Sequence, residues 1–246
     1  MKIGIVQMPM AWTLEDNLAT LHRYLAAYHL TVDTLIFPEL SLSGFHRHVR
    51  TQSDPERIGI ALRHLSHWTQ HYQVNVCVGL PYPTRGRVYN RYLCIDRHGD
   101  IAGQWDKIGL TDSERTYFTA GTARPIITID NVTISAFLCR EADDVDDIVA
   151  SLHHQSVDVM LWPSYILRAN EASQDAGFYA GAAAITKALH CMVIQCNWPS
   201  ALNDTAIQGM GNSVVIGTNG QRIAQLPQDA VAVGLIDTQQ GTFSLT

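Results

Sequence analysis

Short apolar runs of strand length alternate with amphipathic helical patterns along most of this 246-residue chain. An apolar run at 3–8 is followed by leucines at helical spacing within 14–25. A second run at 34–37 precedes a helical apolar stripe within 55–72. The segment 87–105 then holds two strand patterns on either side of the turn sequence DRHGD. Strands that alternate with helices and hairpins predict an α/β fold with a mixed sheet.

The remainder of the chain continues this alternation. Its predicted elements are strands at 74–80, 132–138, 157–162, 191–196 and 230–236, an Ala-rich helix at 171–190 and a hairpin around 218–221. The tail from Thr238 is short and polar, so we predict no further element there. With 46% hydrophobic residues the chain can bury a large core, and no repeat or low-complexity linker divides it. We therefore expect a single domain over residues 1–246.

Composition narrows the classes of function. The net charge is -6 and no run of lysine and arginine stands against it, so we expect no nucleic-acid partner. The start MKIGIVQMPM is too short and interrupted for a signal peptide or membrane span, so we expect a cytoplasmic protein without a membrane partner. Five cysteines without a C-x-x-C pair predict reduced thiols. Three histidines at 64, 67 and 71 lack a nearby carboxylate or cysteine, so we predict no metal.

A carboxylate, an ammonium and a thiol side chain each follow an apolar strand pattern. Glu39 follows TLIFP, Lys107 follows IAGQWD and Cys139 ends VTISAFL. A strand end suits a nucleophile, because free backbone N–H groups in the next turn lower a thiol pKa and can bind an oxyanion. A cysteine that ends an apolar run is more often a small buried hydrophobe, so this interpretation of Cys139 depends on the two partners.

The segments FPELSLSGF, WDKIGL and FLCRE, in this order, resemble the nitrilase superfamily of carbon-nitrogen hydrolases, whose signature is a Glu, Lys, Cys triad. The further residues that match this family are Glu114, Phe118, Gly121, Asn197, Gly211, Ser213 and Gly220. The resemblance spans nearly the whole chain. It implies a four-layer αββα sandwich with mixed β-sheets, a homodimer or higher homo-oligomer, and chemistry without a cofactor.

The resemblance also implies a role for each site residue. Glu39 is the general base, Cys139 attacks the substrate carbon and forms a thioester, and Lys107 stabilises the oxyanion with the backbone N–H of Arg140. Glu114 matches the second glutamate of the family, which positions the lysine and the substrate. The residues expected to bind substrate are Arg140, Trp162, Ser164 and Tyr165. A packing role for Trp162 and Tyr165 stays equally open.

Two departures from the family bear on the substrate. Arg140 follows the cysteine where an aromatic residue is common, and the acidic run 141–147 comes next. We attribute most of this run to a solvated helix N-terminus. The short chain and the arginine favour an amide over a nitrile, so we predict a small linear carboxamide that yields ammonia and an acid. An acyltransferase, an N-carbamoyl hydrolase and a catalytically silent ligand-binding protein stay open.

Overall fold

The computed structural model describes residues 1–46, 48–168 and 179–246. The strands are β1 (Lys2–Gln7), β2 (Thr34–Ile36), β3 (Asn75–Thr84), β4 (Arg87–Ile95), β5 (Ile101–Asp106), β6 (Ile127–Ile129), β7 (Val132–Ala136), β8 (Val159–Ser164), β9 (Met192–Asn197), β10 (Val214–Ile216), β11 (Arg222–Gln225), β12 (Ala232–Asp237) and β13 (Thr242–Leu245). The helices are α1 (Leu14–Tyr28), α2 (Pro55–Tyr72), α3 (Val145–Leu152) and α4 (Ala180–Leu189). Short 3-10 helices cover Val49–Gln52, Glu114–Thr116 and Cys139–Asp143.

The described strands form two mixed sheets. The first has the order β13-β12-β1-β2-β3-β4-β5, in which β1, β2 and β3 run parallel and the other pairs run antiparallel. The second has the order β11-β10-β9-β8-β7-β6, with β7, β8 and β9 parallel. Each sheet therefore has a parallel centre and antiparallel edges, as a chain that mixes βα units with hairpins requires.

The two sheets pack face to face, and helices cover their outer faces. Side chains such as Ile3 and Ile194 fill the layer between the sheets. Leu21 of α1 and Leu65 of α2 pack on the outside of the first sheet, and Ile185 of α4 packs with α3 outside the second. These layers confirm the predicted αββα sandwich. Successive strand residues point to opposite faces, which is why buried strands here are apolar on both faces.

Helix ends follow the local signals of the sequence. Thr13 caps α1 by accepting a hydrogen bond from the backbone N–H of Asp16. Asp54 does the same for α2 from the N–H of Arg57, with Pro55 in the first turn. Within the described part of the chain, no helix is both long and apolar enough to cross a membrane.

Two predictions about elements need correction, and a third reaches beyond the described residues. The polar tail contains β13, which pairs antiparallel with β12. The strand expected to carry Cys139 ends at Ala136, and Cys139 begins a 3-10 helix instead. The helix predicted at 171–190 lies partly outside the described residues, and its described part is α4. Edge pairing and short turns of this kind depend on distant chain segments, so periodicity does not reveal them.

A close backbone contact fixes the chain after β2. A Cβ on Gly79 of β3 would lie 2.2 Å from the backbone nitrogen of Leu40. The carbonyl oxygen of Gly79 accepts a hydrogen bond from the N–H of Leu42 at 2.9 Å, and its N–H donates to Ser41 Oγ at 2.9 Å. Only a glycine at position 79 lets the segment from Glu39 to Leu42 lie this close to β3.

We predict that Gly79→Ala lowers the free energy of unfolding by about 2 kcal/mol, because the added methyl group meets backbone that cannot move away cheaply. Urea unfolding followed by circular dichroism measures this change. Gly59→Ala is the matched control, since Gly59 lies within α2 and its added Cβ would have 3.6 Å to the nearest side-chain atom. The control is expected to gain about 0.5 to 1 kcal/mol. Equal stability of Gly79→Ala and the unmodified protein contradicts this account.

Candidate active site

Glu39 is a fully buried carboxylate just beyond the end of β2. Its Oε1 atom accepts hydrogen bonds from Asn90 Nδ2 at 2.7 Å and from Lys107 Nζ at 2.8 Å. Its backbone carbonyl accepts from Trp198 Nε1 at 2.8 Å. Its Oε2 atom has no hydrogen-bond partner among the described residues. One oxygen is therefore held in place while the other keeps its lone pairs available to receive a proton.

Lys107 follows β5 and lies between two carboxylates. Its Nζ atom is 2.8 Å from Glu39 Oε1 and 2.5 Å from Glu114 Oε1. The lysine side chain is 1% exposed. The 3-10 helix that begins at Glu114 supplies the second carboxylate, and Glu114 Oε2 also accepts from the N–H of Thr111 at 2.8 Å. The ammonium group is thus fixed by the charge-assisted hydrogen bonds that it donates to carboxylates on two separate segments of the chain.

Cys139 begins a 3-10 helix with a backbone φ of +50°. A side chain with a Cβ rarely adopts this left-handed conformation, which costs on the order of 1 kcal/mol or more. Its Sγ atom donates to the carbonyl of Tyr165 at 3.4 Å, and its own carbonyl accepts from Trp162 Nε1 at 2.8 Å. The other four cysteines are buried, whereas Cys139 is partly exposed. Among the five cysteines, Cys139 is therefore the one whose residue is partly accessible to solvent.

The three side chains influence one another's pKa values. Burial and the charge of Glu39 raise the pKa of Cys139 to about 12, although Lys107 opposes this shift. Burial also raises the pKa of Glu39, and the ammonium of Lys107 offsets part of that effect. Burial alone would lower the pKa of Lys107, but the nearby carboxylates more than compensate and raise it. At neutral pH the site therefore holds a cationic lysine and a protonated thiol that needs a base.

Glu141 is a positioning residue that the sequence analysis missed. It is buried, and its Oε1 atom accepts from the backbone N–H groups of Ile108 and Gly109, each at 2.9 Å. Its Oε2 atom accepts from the N–H of Leu138 at 2.6 Å, and the Arg124 guanidinium donates to Oε1 at 3.0 Å. Glu141 thus joins the turn after Lys107 to the turn that holds Cys139.

The attribution of most of the acidic run to a solvated helix N-terminus agrees with the exposure of its aspartates, and the buried Glu141 is the exception. Asp143, Asp146 and Asp147 are exposed, and the last two lie in the first turn of α3. No local pattern distinguishes Glu141 from these aspartates, because its partners at 108–109 and 124 are distant in the sequence.

The predicted substrate-binding residues lie in different surroundings. The Arg140 side chain pairs with Asp144 at 2.5 Å. Trp162 is buried and packs against Phe137, and the buried Ser164 donates to the carbonyl of Trp162 at 3.2 Å. Tyr165 is half-buried and lines an open cavity. Tyr165 is thus placed to contact a ligand in the cavity, whereas Trp162 is buried and holds the cysteine turn through its hydrogen bond to the Cys139 carbonyl.

The cavity that Tyr165 lines has a volume of about 360 Å³. Its aromatic lining consists of Trp12, Phe45, His46, Tyr117, Phe118 and Tyr165. Leu40, Val49 and Ile207 add apolar surface, and Ser113 and Asp204 add polar groups. Leu40 follows Glu39 in the chain, and the carbonyl of Tyr165 accepts a hydrogen bond from the Cys139 thiol, so two residues of the lining adjoin this group.

Asn197 and Ser213 hold the segment that carries Tyr165. Asn197 Nδ2 donates to the carbonyls of Ile166 at 3.1 Å and Gly211 at 3.0 Å, and its N–H donates to Ser213 Oγ at 2.9 Å. These family-matching residues therefore support the wall of the cavity. Within residues 1–46, 48–168 and 179–246, no cluster of three or more His, Cys, Asp or Glu side chains is arranged to hold a metal ion.

Solved structures share this fold. An amidase from Nesterenkonia sp. superposes with a TM-score of 0.84 at 19% identity, over 96% of this chain and 89% of that one. A mutant of the amidase from Nesterenkonia sp. AN1 in complex with butyramide also has a TM-score of 0.84, at 18% identity, over 98% of this chain and 93% of that one. A glutamine-dependent NAD+ synthetase from Acinetobacter baumannii has a TM-score of 0.85 at 19% identity, over 100% of this chain and 47% of its own.

Curated relatives are similar over part of their length. A probable nitrilase of Schizosaccharomyces pombe is 26% identical over 146 residues, which are 56% of this chain and 54% of that relative. An (R)-stereoselective amidase of Pseudomonas sp. is 30% identical over 147 residues, 58% of this chain and 53% of that relative. The chain thus spans about half the length of the curated relatives it matches. The sequence also matches the carbon-nitrogen hydrolase family over residues 2–243, which confirms the resemblance noted above. The chain belongs to the carbon-nitrogen hydrolase family.

Proposed function

We propose that this protein hydrolyses the carbon-nitrogen bond of a small linear carboxamide through a thioester on Cys139. The observation that carries the proposal is the buried Lys107 ammonium 2.8 Å from Glu39 Oε1, with the partner-free Glu39 Oε2 and the partly exposed Cys139, whose thiol both charges influence. A buried base with a free oxygen, a fixed cation and a reachable thiol are the parts that acyl transfer to sulfur requires.

In the first half of the reaction, Glu39 Oε2 takes the thiol proton while the Cys139 sulfur forms a bond to the carbonyl carbon. The base is required because the raised pKa of Cys139 keeps the thiol protonated at neutral pH. The electrons of the carbonyl bond move to oxygen, where Lys107 and the backbone N–H of Arg140 stabilise the negative charge. When the tetrahedral intermediate collapses, Glu39 returns the proton to nitrogen and ammonia leaves.

In the second half, a water molecule attacks the thioester. Glu39, ionised again after ammonia has left, accepts a proton from the water as its oxygen bonds to the acyl carbon. The carbon-sulfur bond then breaks, the proton returns to the Cys139 sulfur and the carboxylic acid is released. The same glutamate therefore serves as base and then as acid in each half of the reaction, through the one oxygen that has no partner among the described residues.

Other site residues act through these three. Glu114 orients Lys107 by direct contact, and Glu141 keeps the lysine and cysteine turns at a fixed separation. Among the expected substrate-binding residues, Arg140 contributes its backbone N–H and Tyr165 contacts the acyl group. Trp162 and Ser164 position the cysteine turn and the strand behind it.

Acyl transfer to an amine is the second candidate activity, because a thioester can react with either acceptor. Comparing acid release with conjugate formation distinguishes the two. The single domain over residues 1–246, the homodimer and the cytoplasmic location also stay predictions. Sedimentation equilibrium of the purified chain tests the homodimer.

We predict that Cys139→Ala abolishes ammonia release while the far-ultraviolet circular dichroism spectrum stays unchanged. Iodoacetamide should alkylate Cys139 before the other cysteines, because those four are buried. Peptide mass spectrometry at short reaction times measures the order of labelling. Earlier alkylation of Cys94 or Cys191, together with activity retained in Cys139→Ala, would show that Cys139 is a structural cysteine and not the nucleophile.

We predict that Glu39→Gln separates turnover from thiol reactivity. Turnover should fall by roughly 100-fold or more because the base is lost. The pH profile of Cys139 alkylation should nevertheless move to lower pH, because the charge of Glu39 raises the pKa of the thiol and Lys107 remains to lower it. Glu15→Gln is the control, since Glu15 is exposed and pairs with Arg57. An alkylation profile that moves to higher pH in Glu39→Gln refutes the electrostatic account.

We predict that Lys107→Gln lowers kcat by roughly 100-fold or more, since an oxyanion donor is removed. The exposed Lys187 is the control, and Lys187→Gln should keep nearly full activity. Because Lys107→Gln also leaves two buried carboxylates without their cation, thermal unfolding must first show that the variant is folded at the assay temperature. Similar small losses in both folded variants would make Lys107 a structural residue.

Matched amide and nitrile pairs test the reaction type. We expect faster ammonia release from each amide than from its nitrile at equal concentration, because Glu39 can protonate an amine leaving group directly. Butyramide with butyronitrile forms a suitable pair. Faster turnover of the nitriles, or turnover of bulky peptide-like amides alone, would show that the choice of reaction is wrong.

A further inference from the structure

Asn90 contacts both the proposed base and the proposed oxyanion donor. It lies on β4, is fully buried and pairs with Pro81 of β3. Its side-chain Nδ2 atom donates to Glu39 Oε1 at 2.7 Å. Its backbone carbonyl accepts a hydrogen bond from the N–H of Lys107 at 2.9 Å. One residue of a sheet strand therefore holds Glu39 and Lys107 relative to each other, in addition to their direct contact.

The path of the Glu39 side chain explains how it meets Asn90. The strand order in this part of the sheet is β2-β3-β4-β5. Glu39 follows β2, and its backbone lies against Gly79 of β3, where an added Cβ would be 3.0 Å from the Glu39 carbonyl carbon. From there the side chain reaches past β3 to Asn90 of β4 and to Lys107 after β5. Both donors thus come from neighbouring strands whose spacing the backbone pairing fixes.

Two donors on one oxygen determine where Glu39 can take a proton. The torsion that rotates a carboxylate is broad and two-fold, so a single donor constrains it weakly. Asn90 Nδ2 and Lys107 Nζ both donate to Oε1, and each carboxylate oxygen has about two lone-pair sites. Oε2 has no partner among the described residues. The proton is therefore taken at Oε2, and the two donors keep the carboxylate plane in one orientation.

The donor that Asn90 supplies is neutral, which suits a group that acts as base and then as acid. Burial raises the pKa of Glu39, and Lys107 and the hydrogen bond from Asn90 oppose that shift. A second cation in place of the amide would make the carboxylate a weaker base. An apolar side chain there would leave Glu39 protonated over more of the pH range. The amide favours the ionised form without adding charge.

The asparagine carries a cost that packing alone does not explain. Its Oδ1 atom is buried and has no hydrogen-bond partner among the described residues. A buried polar atom without a partner destabilises the folded state, and an apolar side chain of similar size would avoid this penalty. In the described part of the chain, the side chain of Asn90 makes one hydrogen bond, the one to Glu39. The contact with Glu39 is therefore the reason for an amide at this position.

We propose that Asn90 is a positioning residue for the general base. Together with Lys107 it occupies Glu39 Oε1 through both halves of the reaction, so that protons from Cys139 and later from water move on and off Oε2. This inference rests on the proposed amide hydrolysis and deepens it.

Asn90→Leu removes the donor and keeps a side chain of similar size. The bond from the Lys107 N–H remains, because it goes to the main-chain carbonyl of residue 90. We expect kcat for butyramide to fall by roughly tenfold or more at neutral pH, as the loss of a hydrogen bond to a charged group implies. KM should change by less than about threefold, because the bond acts in the proton-transfer steps.

The pH profile of kcat/KM separates this role from a structural one. The described titratable side chains that interact with Glu39 are Lys107, Glu114, Cys139 and Tyr165. Burial raises the pKa of Cys139 and of Tyr165 to about 12, so both are neutral in neutral or acidic buffer. Burial alone would lower the pKa of Lys107, but the carboxylates raise it and the ammonium stays charged. The fall of kcat/KM at low pH therefore reports the protonation of a carboxylate.

Loss of the Asn90 donor should move this low-pH fall upward. The hydrogen bond favours the ionised form of Glu39, so its removal raises the pKa of that carboxyl. We expect the midpoint of the fall to lie about one pH unit higher in Asn90→Leu. The loss of activity should therefore be larger in acidic than in alkaline buffer.

Asn75→Leu is the matched control. Asn75 is also buried, and its Nδ2 atom donates to the carbonyl of Asp33 at 2.9 Å. It pairs with Thr34, at the opposite end of β2 from Glu39. This variant should lose stability but keep the kcat/KM profile of the unmodified protein.

Asn90→Ser is a second variant, for use if leucine at this position prevents folding. A serine hydroxyl is bonded directly to Cβ and is too short to replace the 2.7 Å contact, so the same upward shift is expected. Thermal unfolding identifies the variants that are folded at the assay temperature. A folded Asn90 variant with unchanged kcat and an unchanged low-pH midpoint overturns the proposal. An equal shift in Asn75→Leu also overturns it, because the shift would then reflect general destabilisation.

The outcomes distinguish this inference from the proposed function. If no amide releases ammonia and Cys139→Ala behaves like the unmodified protein, the amide hydrolysis itself fails. If turnover requires Cys139 and Glu39 but the Asn90 variants keep the kcat and the pH profile of the unmodified protein, only the role of Asn90 fails.

Discussion

The structure depends on one buried ionic group, the ammonium of Lys107 between the carboxylates of Glu39 and Glu114. Removing three charges from water is costly, and the interaction is favourable only where the geometry is good and the other polar atoms are satisfied. Glu39 follows β2, Lys107 follows β5, and Glu114 begins a 3-10 helix, so each member comes from a different segment of the chain. Removing Lys107 would leave two buried carboxylates without their cation, whereas removing either carboxylate would leave one ion pair. The need to pair these buried charges therefore fixes the three segments, and with them the proposed reactive groups, relative to one another.

This ionic group also influences the protonation of Cys139, the proposed nucleophile. In many cysteine enzymes a nearby cation lowers the thiol pKa. Here burial and the charge of Glu39 outweigh Lys107, and the pKa of Cys139 rises to about 12. A thiol that stays neutral until a substrate arrives is less exposed to oxidation, since the thiolate is the oxidisable form. The positive φ of Cys139 and the contacts of Glu141 hold this thiol in place without ionising it.

The sequence predicted the parts of the structure that local pattern controls. Glu39, Lys107 and Cys139 stand out because each follows an apolar run, and strands that end at one edge bring such residues together. Asn90 and Glu141 do not stand out, because their importance lies in contacts across 51 and 33 residues of chain. Strand β13 was missed for a similar reason, since a polar edge strand is defined by its pairing with β12. Helix capping by Thr13 was predictable because both partners lie within one turn.

The proposed reactive groups and the lining of the cavity lie on different kinds of structure in this protein. The reactive groups stand at strand ends, on backbone that the sheets and Gly79 make rigid. The cavity is built from residues between the strands, including Trp12, Phe45 and Tyr117, which lie outside β1 to β13. Substitutions there change the shape and charge that a substrate meets without disturbing the buried ions. The cavity lining can therefore vary while the buried ionic group stays the same.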